Sequence, residues 1–522
     1  MSWLLKNNRA LFKLLFVLVI LDRINTYFRF SIVFADSDQT LLWQVAKDMM
    51  SGTFHGPCFY GQSYNPVIEP LLAIPFLFSG LGFPAALPLA TIILGLSPFL
   101  MLSFYFYKRF GPLTGILPLI ISLLLPPEYS MLTSISRGFV TGIFFAVTGF
   151  VLFAFHKSFY SKFIGGISFG IGIYANPNCV LLFPLILPFL PRNRKELFRI
   201  LMPLILGFSL GLTSFLFNAA YYNAHPDMVI HGAPGMDISL AAFLNVTGRL
   251  DSYFNFVTPL LWRAGWISLS LFVIIGIRLW QHSRKIEFLT LLLLFGFILF
   301  SFFVSKVSDG TNSVFFSGSR MFLAYPFILM FVFIFGSQTL VSQRKASLFF
   351  LLIALAILSF TVKILAFDFF LKDTMKGSKN SIVKVFTVNE LRETCKDLLS
   401  FADGKVDLII ANSKDTPDQP VSYGCPCLDR KFPVTLQPLY ERRSWLLPVV
   451  MDQVHKRVLI HGRDTAIWKR MHLEGLEIIR VDKQKGWLLI ENHLTTGDLL
   501  DKIGLVPDYR KEQAEKSGFP EL

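Results

Sequence analysis

The sequence predicts a polytopic α-helical membrane domain followed by a small α/β domain, and three observations carry that expectation. Of 522 residues, 53% are hydrophobic and 16% charged, with 56 Phe and a mean hydropathy of +0.54, which excludes an ordinary soluble enzyme. Charged residues occupy 37 of the first 366 positions and 47 of the last 156, so the boundary between an apolar and a polar domain falls at 366/367. Basic residues exceed acidic ones by 25 to 12 before that boundary and by 24 to 23 after it. The net charge of +14 therefore resides in the apolar part, where it reads as membrane topology and not as a nucleic-acid surface.

Lys6, Arg9 and Lys13 precede the first apolar run with no small-residue cleavage site after it, the pattern of an uncleaved signal anchor. Eleven apolar runs follow one another at about 11–29, 84–107, 113–126, 138–155, 163–175, 178–190, 200–222, 265–280, 286–304, 321–341 and 346–366. With the N-terminus in the cytoplasm, Lys108-Arg109, Lys157 and Lys162, Arg192 to Arg199, Arg284-Lys285 and Arg344-Lys345 all fall in inner loops. Nine of the twelve acidic residues fall outside, and the odd number of spans puts the polar tail outside as well. The 28 uncharged positions of 163–190 are interrupted by Asn176-Pro177-Asn178, which predicts two short antiparallel halves instead of one tilted helix. The stretch Pro70–Phe83 reaches only ~21 Å as helix and is assigned to the outer interface.

The first outer loop, 30–83, holds the densest chemistry. Leu41, Leu42, Val45, Ala46, Met49 and Met50 recur at helical spacing opposite Gln44, Lys47 and Asp48, which predicts an amphipathic helix on the membrane surface. Asp38 stands where an N-cap carboxylate would accept first-turn amides. Asp36 and Asp38, one residue apart, equally suit a proton acceptor with its electrostatic partner, or a cation site, and spacing leaves these open.

Asp36-Ser37-Asp38-Gln39, the helix ending at Gly52, then Phe59-Tyr60-Gly61-Gln62-Ser63-Tyr64 and Glu69 resemble the first periplasmic loop of GT-C membrane glycosyltransferases. The likeness is closest to the bacterial branch similar to protein O-mannosyltransferases, with its Asp-Glu pair and Tyr-Gly-Gln-x-Tyr-x-Gly-x-Leu-Glu stretch, and it extends over roughly 1–366. Gln39 stands where that family has Glu, and Asn65-Pro66 where it has Met-Gly or Gly-Gly. The resemblance implies an inverting glycosyltransferase, hexosyl- or mannosyltransferase-like. It would move a sugar from a polyprenyl-phosphate carrier to a hydroxyl acceptor, a glycan, lipid or protein, on the outer face of a bacterial inner membrane. It further implies that Asp38 is the catalytic carboxylate and Asp36 the second one, while Glu69, Gln62 and Tyr64 bind substrate.

Arg320, in Ser-Gly-Ser-Arg-Met-Phe-Leu-Ala-Tyr-Pro, begins the tenth span on its outer side, against the charge bias. Snorkelling accounts for that position, as does a bidentate grip on phosphate. Likeness to the family's Arg-Tyr-Leu-x-Pro stretch implies the phosphate of the lipid donor. Glu128 and Arg137 flank the third and fourth spans and suit an interfacial ion pair or a cavity lining. No cofactor is identified, and no cluster with zinc spacing calls for a metal, although a divalent cation is compatible with the acidic pair. Five Cys make no disulfide framework, and Cys425-Pro426-Cys427 lacks the two-residue gap of redox motifs. In the tail, 367–522, strands are expected at 406–411, 456–461, 476–481 and 486–491, with a helix at 464–473. The rival class is a transporter or lipid flippase, which predicts ionisable groups within several spans; only Asp22-Arg23 comes near that pattern.

Overall fold

The computed structural model describes residues 8–155, 158–225, 237–311, 313–340, 342–378, 385–411, 420–437, 446–461 and 474–505. The chain forms two compact units, and both are assembled from distant stretches of sequence. The first comprises Met1–Ser31, Pro88–Phe217 and Pro234–Ser381; the second comprises Ile32–Leu87, Asn218–Ala233 and Ile382–Leu522. The boundary at 366/367 marks a change of charge density. In space, the tail shares its unit with the first loop.

The first unit is helical and apolar. Among the described residues, Phe83–Phe110, Arg194–Ala224 and Ala346–Leu365 are long and apolar enough to cross a membrane, and shorter apolar helices stand at several of the other expected spans. The break at Asn176 is explicit: an α-helix covers Phe159–Ala175, the Asn176 side chain accepts from the Asn178 amide, and a 3-10 helix covers Pro177–Phe189. Pro184 and Pro188 cannot donate within an α-helix. The tighter winding compensates in length, because 13 residues at ~2.0 Å rise and 17 at ~1.5 Å both reach ~26 Å. The Phe159–Ala175 helix packs so closely on Arg194–Ala224 that a Cβ on Gly166 or Gly207 would run into the backbone carbonyl of Leu204 or Phe163.

Asp22 and Arg23 are buried, and the unit supplies partners that the sequence did not suggest. Lys363 lies 2.9 Å from the Asp22 carboxylate, Ser130 donates to Asp22 at 3.0 Å, and Arg23 donates to Thr133 at 2.7 Å. These charges tie the first helix to the last and to the Pro127–Leu132 turn, a use for intramembrane ions that needs no transport. Glu128 pairs with Arg263 at 2.9 Å, and Arg137 donates to the Phe315 carbonyl, so the two residues flanking the third and fourth spans do not pair with each other.

The second unit contains β1 (Phe34–Asp36), α1 (Ser37–Met50) and α2 (Ile68–Phe78) from the first loop. The tail contributes β2 (Val385–Thr387), α3 (Val388–Phe401), β3 (Leu408–Ala411), α4 (Cys425–Leu428), β4 (Val434–Leu436), β5 (Arg457–His461), β6 (Glu477–Asp482) and β7 (Trp487–Glu491). β3 to β7 form one sheet in the order β4-β3-β5-β7-β6, with β4, β3 and β5 parallel and β7 and β6 antiparallel. Leu408, Ile410, Val458, Ile460, Leu488 and Ile490 form its core with Leu499 and Leu500. The four strands read from hydrophobic runs lie within two residues of their expected bounds. β4 was not expected, being only three residues long, and the helix expected at 464–473 lies outside the described residues. β1 and β2 pair antiparallel, with Asp36 opposite Val385.

α1 differs from its expectation. Gln39 through Ala46 are buried on every face, so this is a core helix and not a stripe laid on a membrane. The tail covers its polar side: Lys47 donates to the Pro426 carbonyl at 2.9 Å, and Gly424 passes so near that a Cβ there would lie 3.0 Å from Thr40. Cys395 and Cys425 form a disulfide with Cα atoms 5.7 Å apart, correcting the expectation drawn from the odd cysteine count. Cys58, Cys179 and Cys427 remain as buried thiols.

Candidate active site

The site begins where β1 turns into α1. Asp36 is extended (φ −122°, ψ 174°) and its Oδ1 accepts the Gln39 amide at 2.8 Å, so Asp36 is the N-cap and Ser37 already belongs to the helix. The cap had been expected at Asp38. Asp38 instead sits in the first turn, half-buried, at the positive end of the helix. The two acidic residues thus have different surroundings: Asp36 is 0% exposed and holds the backbone, whereas Asp38 reaches the unit's surface.

The Tyr-Gly-Gln segment forms a tight hairpin. Phe59 and Val67 donate to the carbonyls of Asn65 and Pro57 at 2.9 and 3.1 Å, and Gln62 closes the turn onto Phe59 at 2.9 Å. Asn65 has φ +59°, a left-handed conformation that Asn tolerates better than most side chains. The tip carries Gln62 and Tyr64, both half-buried. It is fastened by Asn218, which donates to the Ser63 carbonyl at 2.7 Å, and by the Tyr222 hydroxyl, which donates to the Gln62 carbonyl at 2.9 Å.

Asp48 is the residue that sequence reasoning missed. Its carboxylate accepts Gln44 at 2.6 Å and the Tyr60 hydroxyl at 3.1 Å, and so joins α1 to the hairpin. The i,i+4 spacing of Gln44 and Asp48 was the available signal. His55 faces the Tyr60 ring; burial draws its pKa down, and Asp48 opposes that shift. Glu69 is in the first turn of α2, 1% exposed, and α2 packs on α1. The end of α1, the base of the hairpin and one side of α2 enclose an apolar groove of about 450 Å³, lined by Met49, Phe54, Pro57, Val67, Leu71 and Ile74 among others.

One unit thus holds Asp36, Asp38, Gln62, Tyr64 and Glu69. Tyr221 and Tyr222 lie at the end of the Arg194–Ala224 helix, the His225 ring bonds back to the Tyr221 carbonyl at 2.8 Å, and Pro226 and Asp227 lie outside the described residues. Among the described residues, no three His, Cys, Asp or Glu side chains cluster as metal ligands would.

Arg320 belongs to the first unit. It lies in a 3-10 turn, Gly318–Phe322, ahead of the Tyr325–Ser337 helix, and is 5% exposed, so its head does not snorkel to water. Nη1 donates to the Ser317 carbonyl at 2.7 Å, Nη2 faces Asp309 at 3.5 Å, and the guanidinium lies 4.1 Å over the Phe316 ring. Burial and the neighbouring Arg137 pull its pKa down while Asp309 holds it up.

No protein-family model matches the chain, and no curated protein matches its sequence. Among solved structures, ArnT from Cupriavidus metallidurans in the apo state aligns over 92% of this chain and 98% of its own, with a TM-score of 0.50 and 11% sequence identity. The same protein bound to undecaprenyl phosphate aligns over the same shares with a TM-score of 0.49 and 10% identity. At such identity the backbone path carries the likeness: the chain has a fold similar to that of ArnT.

Proposed function

We propose that the protein is an inverting glycosyltransferase that uses a polyprenyl-phosphate-linked sugar on the outer face of the membrane. The observation that carries the reading is the division of labour at the start of α1. Asp36 caps the helix, while Asp38, a half-buried residue, stands in its first turn, in one unit with Glu69 and the Gln62–Tyr64 tip. In this reading Asp38 accepts the proton of an acceptor hydroxyl as its oxygen attacks the anomeric carbon. The bond from that carbon to the phosphate oxygen breaks, and the electron pair leaves with polyprenyl phosphate. Asp36 fixes the helix and adds a second negative charge, Glu69 and Gln62 orient sugar or acceptor, Tyr64 shapes the cavity, and Arg320 is assigned to the phosphate.

The apolar groove beside α1 suits a prenyl chain. The outer-face assignment draws on two independent supports. Basic clusters mark the opposite loops as cytoplasmic, and the buried Cys395–Cys425 disulfide belongs to an oxidising compartment. Either a hexose such as mannose or a related sugar fits this reading, and the acceptor is a hydroxyl of a glycan, lipid or protein.

The test is mass spectrometry of lipids that copurify with the protein in mild detergent, followed by incubation with a polyprenyl-phosphate sugar carrying a labelled hexose. The expected outcome is enrichment of polyprenyl phosphates and consumption of the labelled donor with release of polyprenyl phosphate. Donor that crosses reconstituted vesicles intact, with no phosphate carrier released, would establish the flippase instead.

A further inference from the structure

The tail grips α1 at two places. At the first, β2 pairs with β1 up to Asp36 opposite Val385, and the Val388 amide donates to the Val33 carbonyl at 2.9 Å, so the strand holding the cap residue is fixed by the tail. β2 runs directly into α3, whose start is locked by a reciprocal capping box between Thr387 and Glu390. At the second, the segment around α4 lies along the middle of the same helix: Gly424 abuts Thr40, Lys47 donates to the Pro426 carbonyl, and the Cys427 sulfur lies 3.9 Å from the Gln44 amide oxygen. Cys395, within α3, and Cys425, at the start of α4, are the covalent link between the two grips.

We propose that the Cys395–Cys425 disulfide is a positioning device for the reaction: it closes the two arms of the tail around α1 and so sets the carboxylate of Asp38, making turnover dependent on oxidation of this pair. The proposal rests on the assignment of Asp38 made above. Both sulfurs are buried, at 4% and 0% residue exposure, and neither cysteine belongs to the apolar core of the five-stranded sheet. The sheet therefore has packing of its own, and loss of the bond acts on α1 before it acts on the sheet. Forming the bond removes two protons and two electrons from the thiols, which pass by thiol–disulfide exchange to an oxidised dithiol oxidoreductase of the outer compartment; a dithiol reductant returns them and becomes a cyclic disulfide. The site is thereby assembled only after the chain reaches an oxidising compartment.

Hydrogen exchange and transfer kinetics test this on the full-length protein in detergent, using the Cys395→Ala/Cys425→Ala double variant and, separately, wild type reduced with dithiothreitol and then reoxidised. Amides of 37–50 are expected to exchange about tenfold faster without the bond, while those of 457–461 stay protected. Turnover number is expected to fall about 10- to 100-fold with donor KM nearly unchanged, and to recover on reoxidation. Unchanged exchange in 37–50 would overturn the proposal. So would equal loss of protection in both segments, which would make the bond a staple of the whole unit. If wild type transfers no sugar under any condition, the glycosyltransferase reading fails, and the exchange comparison still decides whether the disulfide positions α1.

Discussion

Asp38→Asn is expected to lower sugar transfer by ~100- to ~10,000-fold, because an amide cannot take the acceptor's proton and loss of a general base has effects of that size. The fold should tolerate the change. Asp38 is not the helix cap, so its replacement leaves the Asp36 cap in place and forfeits a first-turn charge at the helix dipole, about 0.3 to 1 kcal/mol. Asp36 gives the complementary pattern. Asp36→Asn keeps a competent cap, whereas Asp36→Ala removes the acceptor of the Gln39 amide and should cost about 1 kcal/mol of stability. Transfer assays and thermal unfolding in one detergent separate the two residues. If Asp38→Asn transfers at nearly the wild-type rate, or if its loss of activity parallels a large loss of stability, Asp38 is not the base.

Arg320→Ala is expected to weaken use of the donor by about one to two orders of magnitude, the equivalent of a lost charge-assisted contact of roughly 1.5 to 3 kcal/mol. Arg320→Lys should recover only part of this, because an ammonium cannot keep the Ser317 carbonyl contact and also present a flat, paired donor edge. Burial adds a structural component, since the guanidinium also packs over Phe316 and faces Asp309. Asp309→Asn serves as the control: it removes the facing charge without removing the guanidinium. Donor kinetics in Arg320→Ala equal to wild type, with the protein folded, would confine Arg320 to packing.

The parts of this molecule legible in its sequence are those set by local physics. Density of charge separated apolar from polar chain, Asn176-Pro177-Asn178 stopped one helix and started another, and short runs rich in apolar residues marked β3, β5, β6 and β7. The first-loop pattern resembled that of GT-C enzymes, and the backbone path is similar to that of ArnT. What stayed hidden depends on contacts between segments far apart in sequence. The period of α1 suggested one wet face, yet Lys47 and Gln44 are covered by residues near 426, which no window around residue 44 can reveal. Lys363 could not be matched to Asp22, nor Cys395 to Cys425, until the chain was folded. At the site, the motif supplied the acidic residues but not their roles; the choice between Asp36 and Asp38 as cap turned on one hydrogen bond to Gln39.

Proton NMR of the product made from a polyprenyl-phosphate sugar of known anomeric configuration tests inverting transfer most directly. The expected result is a glycosidic linkage of opposite configuration, formed in equal amount to the polyprenyl phosphate released and absent with Asp38→Asn. A linkage of retained configuration, or intact donor with no polyprenyl phosphate released, would contradict it.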